Sequence, residues 1–380
     1  MRKDRNLEAF RQFYEETYER LEKKTTTLNR SLKKDDNPII RPFMEDLADL
    51  NQGGKMLRGM LVVFGYKIAR DARGVSDIDL SFSDELAQTF EMFQTGVLVH
   101  DDVIDNAAQR RGKITVHRRY EHRLDVRDIR MVSGIEKPQE IAKSVGICVG
   151  DLGMYYANKL LADSYGSDPA LGQLISYFDD IVIQTIRGEL LDVVLPYEIQ
   201  DPGIGEDERA KLLEKSIYDI YFLKTAGYSV IGPLHLGMIL GGAEPKEMAA
   251  LDRCARDIGI AYQIMDDILG VFADPKILGK DVGSDVAEYK QTILYMYVRT
   301  MKPEYVEDLL QYYGKKHVSS KDIEQVQRIF EESGALAYAQ SVLADHFESA
   351  ERKIGRMKFM NAEDKKILRG FISYCKGRRK

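Results

Sequence analysis

Two apolar stretches of this chain end in paired aspartates. One is Val97-Leu98-Val99-His100-Asp101-Asp102-Val103-Ile104-Asp105, and the other is Tyr262-Gln263-Ile264-Met265-Asp266-Asp267-Ile268-Leu269-Gly270. Adjacent carboxylates inside an apolar run repel each other and resist burial. A divalent cation removes both difficulties, so the two runs suggest a cavity where Mg²⁺ ions hold a polyphosphate between facing helices. Asp101 and Asp105 lie one helical turn apart on one face, while Asp102 is rotated by about 100°. Carboxylates so placed hold a hard cation through oxygen and leave positions for phosphate and water. The plain alternative is a solvated acidic turn, but the greasy residues Val97, Leu98, Val99, Val103 and Ile104 argue against an exposed helix end. The second run has Gly270 where a third carboxylate would fall, so its ion has fewer ligands or is shared differently. His100 turns away from Asp105 and is assigned to packing.

Other residues suit the anion such cations would bring. Gly53-Gly54-Lys55-Met56-Leu57-Arg58 opens a helix, and the free N–H groups of a helix start attract anions. Lys55 and Arg58 are three apart and reach the same anion. Without the aspartates, the segment reads as a glycine turn with solvated basic residues. Arg110 and Arg111, just beyond Asp105, could form an ion-pair network with the carboxylates or divide between two phosphates, and the rest of the constellation favours division. Asp274, Gly279-Lys280-Asp281 and Lys290 follow the second run. These lysines suit phosphate oxygens already bridged by metal, or are ordinary surface lysines.

The scaffold for these residues reads as helical. The chain has 380 residues, 44% of them hydrophobic, and a formal charge of −6. The acidic balance argues against bulk nucleic-acid binding. Cys148, Cys254 and Cys375 are far apart, without metal-ligand spacing, as in a reduced cytoplasmic protein. The start of the chain is charged and amphipathic rather than a signal core. No apolar run approaches the ~20 residues that span a bilayer, so no integral membrane segment is expected. Leu7, Phe10, Tyr14, Tyr18 and Leu21 form one stripe, in a unit that the Pro38–Pro42 region ends. Helical patterns follow at 55–72, 83–105, 139–163, 168–195, 209–241, 245–272, 285–312, 321–330, 333–354 and 362–376, with turn residues between them and no convincing strand. No linker divides the chain. The expectation is one all-α domain over 1–380, with a helical extension over 1–40 and a charged insertion over 118–140. The insertion reads as a solvated stretch, with a lid or partner contact as the alternative.

In this order and spacing the motifs resemble one family. Gly-Gly-Lys-x-x-Arg at 53–58, Asp-Asp-x-x-Asp followed by Arg-Arg-Gly-Lys at 101–113, Lys-Thr at 224–225, and Gln-x-x-Asp-Asp at 263–267 with Gly-Lys at 279–280 look like a trans-isoprenyl diphosphate synthase, or polyprenyl synthetase. The resemblance implies an all-α bundle around a deep cavity, usually a homodimer, that joins isopentenyl diphosphate head to tail with an allylic diphosphate. It implies that Asp101 and Asp105 bind Mg²⁺ on the allylic diphosphate with Asp102 in support. Asp266 would hold a third Mg²⁺ with Asp267 nearby. Arg110, Lys224 and Lys280 would contact the allylic diphosphate. Lys55, Arg58, Gln94 and Arg111 would bind the donor diphosphate, and Thr225, Gln263 and Lys290 would fall at further active-site positions. Gly270 departs from the fullest family pattern, and the charged stretch is longer than the usual connection.

Family members that stop at C15 carry bulky aromatics where this chain has Gly96 and Val97. The missing bulk implies a longer product. Phe93 lies about 4.5 Å further along the helix, near one isoprene unit. The expected product is therefore the C20 geranylgeranyl diphosphate, with Phe93 as the floor or as ordinary core; farnesyl and longer products are the alternatives. A terpene cyclase has no donor diphosphate and no use for Lys55, Arg58 and Arg111. A non-catalytic subunit typically loses aspartates of the first run, all kept here. A di-metal redox bundle needs Glu-x-x-His pairs, which are absent from the helical patterns.

Overall fold

The computed structural model describes residues 4–126, 138–273, 283–315 and 318–377. Helices α1 (Arg5–Leu32), α2 (Arg41–Asn51), α3 (Leu57–Ala72) and α4 (Asp84–Ile104) come first. A two-residue hairpin follows, β1 (Gln109–Arg110) with β2 (Lys113–Ile114), antiparallel with Arg110 opposite Lys113. Then come α5 (Val116–Val126), α6 (Pro138–Tyr165), α7 (Leu171–Glu198) and α8 (Glu206–Ile220). A π-helical stretch, Tyr221–Ile231, leads into α9 (Gly232–Leu240) and α10 (Pro245–Phe272). The rest is α11 (Ser284–Ala287), α12 (Ile293–Met301), α13 (Val306–Leu310), α14 (Ser320–Glu332), α15 (Ala335–Arg356) and α16 (Ala362–Lys376). The all-α expectation holds among the described residues, the hairpin excepted.

Two compact units form. One comprises Gln12–Ser176 and Leu236–Gly242; the other comprises Met1–Arg11, Tyr177–His235 and Ala243–Lys380. In the first, α4 is the central helix and packs against α2, α3 and α6. In the second, α10 is central and packs against the π-stretch and α15. The two aspartate runs sit on these two central helices.

Several elements depart from the sequence reading for identifiable reasons. Pro38–Pro42 does not only end a unit: Pro42 stands in the first turn of α2, where its missing N–H costs nothing. The buried stripe of α1 is Phe10, Phe13, Thr17, Leu21, Thr25 and Asn29, so Tyr14 and Tyr18 lie beside it rather than on it. Two of its three polar residues are paired, Thr25 with Gln88 at 3.1 Å and Asn29 with Gln52 at 3.0 Å, whereas the buried Thr17 hydroxyl has no hydrogen-bond partner among the described residues. The span 285–312 breaks into short helices, with a turn over Tyr289 in left-handed backbone (φ 60°) and Thr292 capping α12.

The charged stretch begins as a packed helix, a correction to the solvated reading. On α5, Arg119 and Arg123 converge on Asp46 of α2, which is only 4% exposed. Burial raises the Asp46 pKa, while the two arginines oppose the shift. Residues 127–137 of the stretch lie outside the described residues.

His117, also on α5, is 2% exposed, and neither ring nitrogen has a hydrogen-bond partner among the described residues. Burial, helped by Arg118 and Lys143, lowers its pKa to about 4. The unfolded chain takes up this proton near pH 6.5. Stability from neutral His117 is therefore complete above about pH 6.5 and is lost as pH falls toward 4. Between pH 7 and pH 4.5 the expected loss is about 2 kcal/mol from this group. Denaturant titrations of wild type and His117→Phe at both pH values check it: the variant should lose less stability on acidification, and equal losses would contradict the assignment.

Candidate active site

The first run ends α4. Asp101 and Asp102 lie in its last turn, and Asp105 follows at the C-cap, its N–H bonded to the Asp101 carbonyl at 2.9 Å. The side chain of Asp102 is 2% exposed and that of Asp101 is 16% exposed, so Asp101 is the more open. Arg110 joins the two. Its Nε donates to Asp102 Oδ1 and its Nη2 to Asp101 Oδ2, each at 2.6 Å.

Arg111 turns elsewhere. Arg111 and Gly112 form the two-residue turn of the hairpin, with φ of 53° and 72°. Two successive left-handed residues match a type I′ turn, and an arginine there carries strain that a glycine would avoid. The Arg111 guanidinium lies against Gly54, 3.2 Å from where a Cβ would stand, and donates to the Leu50 carbonyl at 3.3 Å. The sequence reading favours division of the two arginines over one shared network. They divide: Arg110 goes to the aspartates and Arg111 to the Gly53–Arg58 segment.

That segment is held by Tyr14, whose hydroxyl donates to the Lys55 carbonyl at 2.8 Å. Met56 enters α3 in left-handed backbone, with no side-chain cap. The expected anion position on the α3 amides needs correction, because Glu91 of α4 takes it: its Oε1 accepts the Gly59 N–H at 2.7 Å. Gln94, one turn along α4, is 6% exposed, and its Oε1 has no hydrogen-bond partner among the described residues.

In the other unit, α10 presents Gln263, Asp266 and Asp267. Asp267 is 4% exposed and accepts from Gln263 Nε2 at 2.8 Å and from the Tyr221 hydroxyl. Burial first, then the like charges of Asp285 and Asp266, push its pKa up to about 8. Asp266 is half-buried. Thr225 donates to Gln263 Oε1 at 2.5 Å. Lys224 lies between Glu189 and Asp192 of α7, 2.7 Å from each. Lys224 and Thr225 both belong to the π-stretch, a helix variant frequent at functional sites. Lys290 pairs with Glu288 at 2.8 Å and approaches Asp285 at 3.8 Å. Lys280, Asp274 and Asp281 lie outside the described residues.

Gly270 has a local explanation. A Cβ there would collide with the carboxylate of Asp285, so the space of a third helical side chain is filled by a carboxylate from α11. Gly96 also differs from its sequence reading. Its Cβ would stand 2.8 Å from the Gly150 carbonyl oxygen and 2.8 Å from the Met154 nitrogen, so the missing bulk serves a close crossing of α4 and α6. Phe93 is fully buried edge-to-face with Phe90, ring centroids 5.8 Å apart, whereas Val97 is half-buried. His100 packs as expected, Nε2 lying 3.0 Å from the Ile147 carbonyl.

Glu91, Tyr221, Glu189, Asp192 and Asp285 were not singled out from sequence. Glu91 had a legible signal, since 91, 94, 98, 101 and 105 form one stripe of α4. Glu189 and Asp192 are three apart on one face of α7. No pattern marked Tyr221 or Asp285, whose partners come from distant segments.

Among the described residues, no three His, Cys, Asp or Glu side chains are gathered as a ready-made metal cage. Oxygen ligands in ones and twos fit Mg²⁺, which is usually bound by one or two carboxylates together with substrate phosphates and water. Carboxylates crowded as Asp266, Asp267 and Asp285 are would also gain from a cation.

A family model, polyprenyl synthetase, matches residues 40–330. The chain belongs to this family. Its fold is similar to that of a geranylgeranyl pyrophosphate synthase from Corynebacterium glutamicum, solved with isoprenyl diphosphate and magnesium; the TM-score is 0.82 at 27% identity, over 97% of this chain and 99% of that one. Geranylfarnesyl diphosphate synthase of Aeropyrum pernix is 28% identical over 86% of this chain and 90% of its own. Farnesyl pyrophosphate synthase 2 of Arabidopsis thaliana is 26% identical over 77% and 78%. This polyprenyl synthetase is a prenyltransferase that condenses isopentenyl diphosphate with an allylic diphosphate. No helix among its described residues is long and apolar enough to cross a membrane.

Proposed function

We propose that the enzyme makes geranylgeranyl diphosphate, and that both aspartate runs act on one allylic diphosphate through three Mg²⁺ ions. The observation that carries the two-substrate reading is the divergence of Arg110 and Arg111 from one strained turn. One arginine stands at the first aspartate run and the other at the Lys55–Arg58 segment, which supports a reading with two separate anion sites. A cyclase, with one diphosphate, has no use for the second.

Asp101, Asp105 and Asp266 would hold magnesium, which neutralises the departing diphosphate. Arg110, Lys224 and Lys280 hold that diphosphate in place, and Asp102 keeps Arg110 directed at it. Gln263 and Thr225 fix each other beside Asp266, and Lys290 adds positive charge near Asp285. Lys55, Arg58, Gln94 and Arg111 hold the donor. The allylic C–O bond breaks, the donor double bond attacks the cation, and a proton is lost to the released diphosphate. Apolar walls keep water away from the cation.

Product length rests on Phe93 and Val97, which lie one turn apart on the same face of α4. Phe93 closes the channel, and the smaller Val97 leaves the way to it open. In Phe93→Ala, chromatography of products from labelled isopentenyl diphosphate should show chains of C25 or longer. An unchanged C20 product would remove Phe93 from the floor, and a C15 product in wild type would remove the C20 assignment.

A second copy of the chain is the proposed partner. The outer face of α7 carries Ile183, Ile186, Leu190, Val193 and Tyr197 at alternating spacings of three and four, with Leu190 62% exposed and Tyr197 74% exposed. Such a seam is the pattern of a helix that packs on another. Sedimentation should show a dimer in wild type and a monomer in Leu190→Glu; a dimeric variant would contradict use of this face. Cysteine usage, with Cys148 exposed and Cys254 and Cys375 buried far from it in the chain, supports a reducing, cytoplasmic setting.

A further inference from the structure

We infer that Glu91 is the positioning residue of the donor diphosphate site, fixing the start of α3 and the guanidinium groups of Arg58 and Arg111; the inference rests on the donor-site reading above. Glu91 is on α4, ten residues before Asp101. Its carboxylate accepts the Gly59 N–H at 2.7 Å and also bonds the Arg58 N–H. These amides are left over at any helix start and would otherwise be offered to an anion. A resident carboxylate takes them here, so a diphosphate at this segment has to be gripped by the side chains of Lys55, Arg58 and Arg111.

Burial raises the Glu91 pKa, and the Gly59 N–H together with the nearby charges of Arg58 and Arg111 oppose the shift and favour the carboxylate. A negative charge among groups meant to bind an anion weakens their field, and it needs a compensating use. Fixing two long cationic side chains in advance supplies one, because each rotamer-rich side chain ordered on binding costs about 0.5–1.5 kcal/mol. The strained turn at Arg111 has the same effect, aiming the guanidinium before any substrate arrives. Gln94, on the same stripe, provides a separate sign of a ligand: its buried carbonyl oxygen lacks a partner among the described residues, and a bound molecule or its ordered water satisfies it.

Glu91→Gln keeps the size of the side chain and an acceptor for the Gly59 N–H while removing the charge. A purely structural cap would work as well with Gln as with Glu. The expected result is a melting temperature close to wild type, KM for isopentenyl diphosphate raised about tenfold, or ~1.4 kcal/mol, and KM for the allylic substrate changed less than about twofold. Titration calorimetry with isopentenyl diphosphate alone should show the same weakening. If Glu91→Gln does not fold, Glu91→Asp, which withdraws the charge by one methylene, should show the same split between the two KM values. A wild-type donor KM, or equal rises in both KM values, would overturn the inference. Wild-type enzyme that binds no isopentenyl diphosphate would overturn the donor-site reading, and the inference with it.

Discussion

Asp101→Ala should lower kcat by about a thousandfold, or ~4 kcal/mol of transition-state stabilisation, while the protein stays folded. Asp101 is more open than Asp102 and stands one turn from Asp105. Its loss removes an oxygen ligand for magnesium at the point where the leaving diphosphate gathers charge. Fixed charge at such a point is worth several kcal/mol in a water-poor site. The fold should survive, because Asp101 lies in the last turn of α4 and Arg110 keeps its bond to Asp102. Steady-state kinetics at saturating magnesium and substrates, together with circular dichroism, check both halves. Turnover within tenfold of wild type would refute the role of Asp101, whatever the remaining aspartates do.

Gly96→Phe should fail through folding rather than through product length. The backbones of α4 and α6 meet at Gly96, Gly150 and Gly153; a Cβ on Gly153 would stand 2.8 Å from the Gly96 Cα. Neither backbone can yield as a side chain does, so a phenyl ring forces the two helices apart. The expected destabilisation is at least ~3 kcal/mol, at the upper end for overpacked cores, with a melting temperature lower by several degrees or no folded protein. Gly96→Ala should be milder and still destabilising. On the sequence reading alone, a bulky residue at 96 would shorten the product in a well-folded enzyme. Thermal melts and product analysis of Gly96→Phe decide between the two. A stable variant making C15 would restore Gly96 to the product channel.

These cases show what kind of information the sequence holds. Helices with a strong period were legible almost to the residue, as for α10 and α16, because burial on one face sets their composition. Proline was ambiguous: Pro42 reads as a stop and serves as a start. The π-stretch within 209–241 was illegible, since its apolar content suits either helix. At the site, residue types announced cations and phosphates, but not their partners. Arg110 lies eight residues from Asp102 and could be placed near it; Lys224 meets Glu189 and Asp192 across more than thirty residues, and no local rule brings them together. Gly270 looked like a missing ligand because the Asp285 carboxylate that fills its space comes from another helix.

The central claim is that acidic and basic residues of this chain hold two diphosphates and join their prenyl groups. Incubation of purified enzyme with Mg²⁺, labelled isopentenyl diphosphate and primers of C5, C10 and C15 tests it directly. The expected result is magnesium-dependent labelling of an all-trans C20 diphosphate. Absence of chain growth from every primer, with the protein folded and magnesium present, would contradict it.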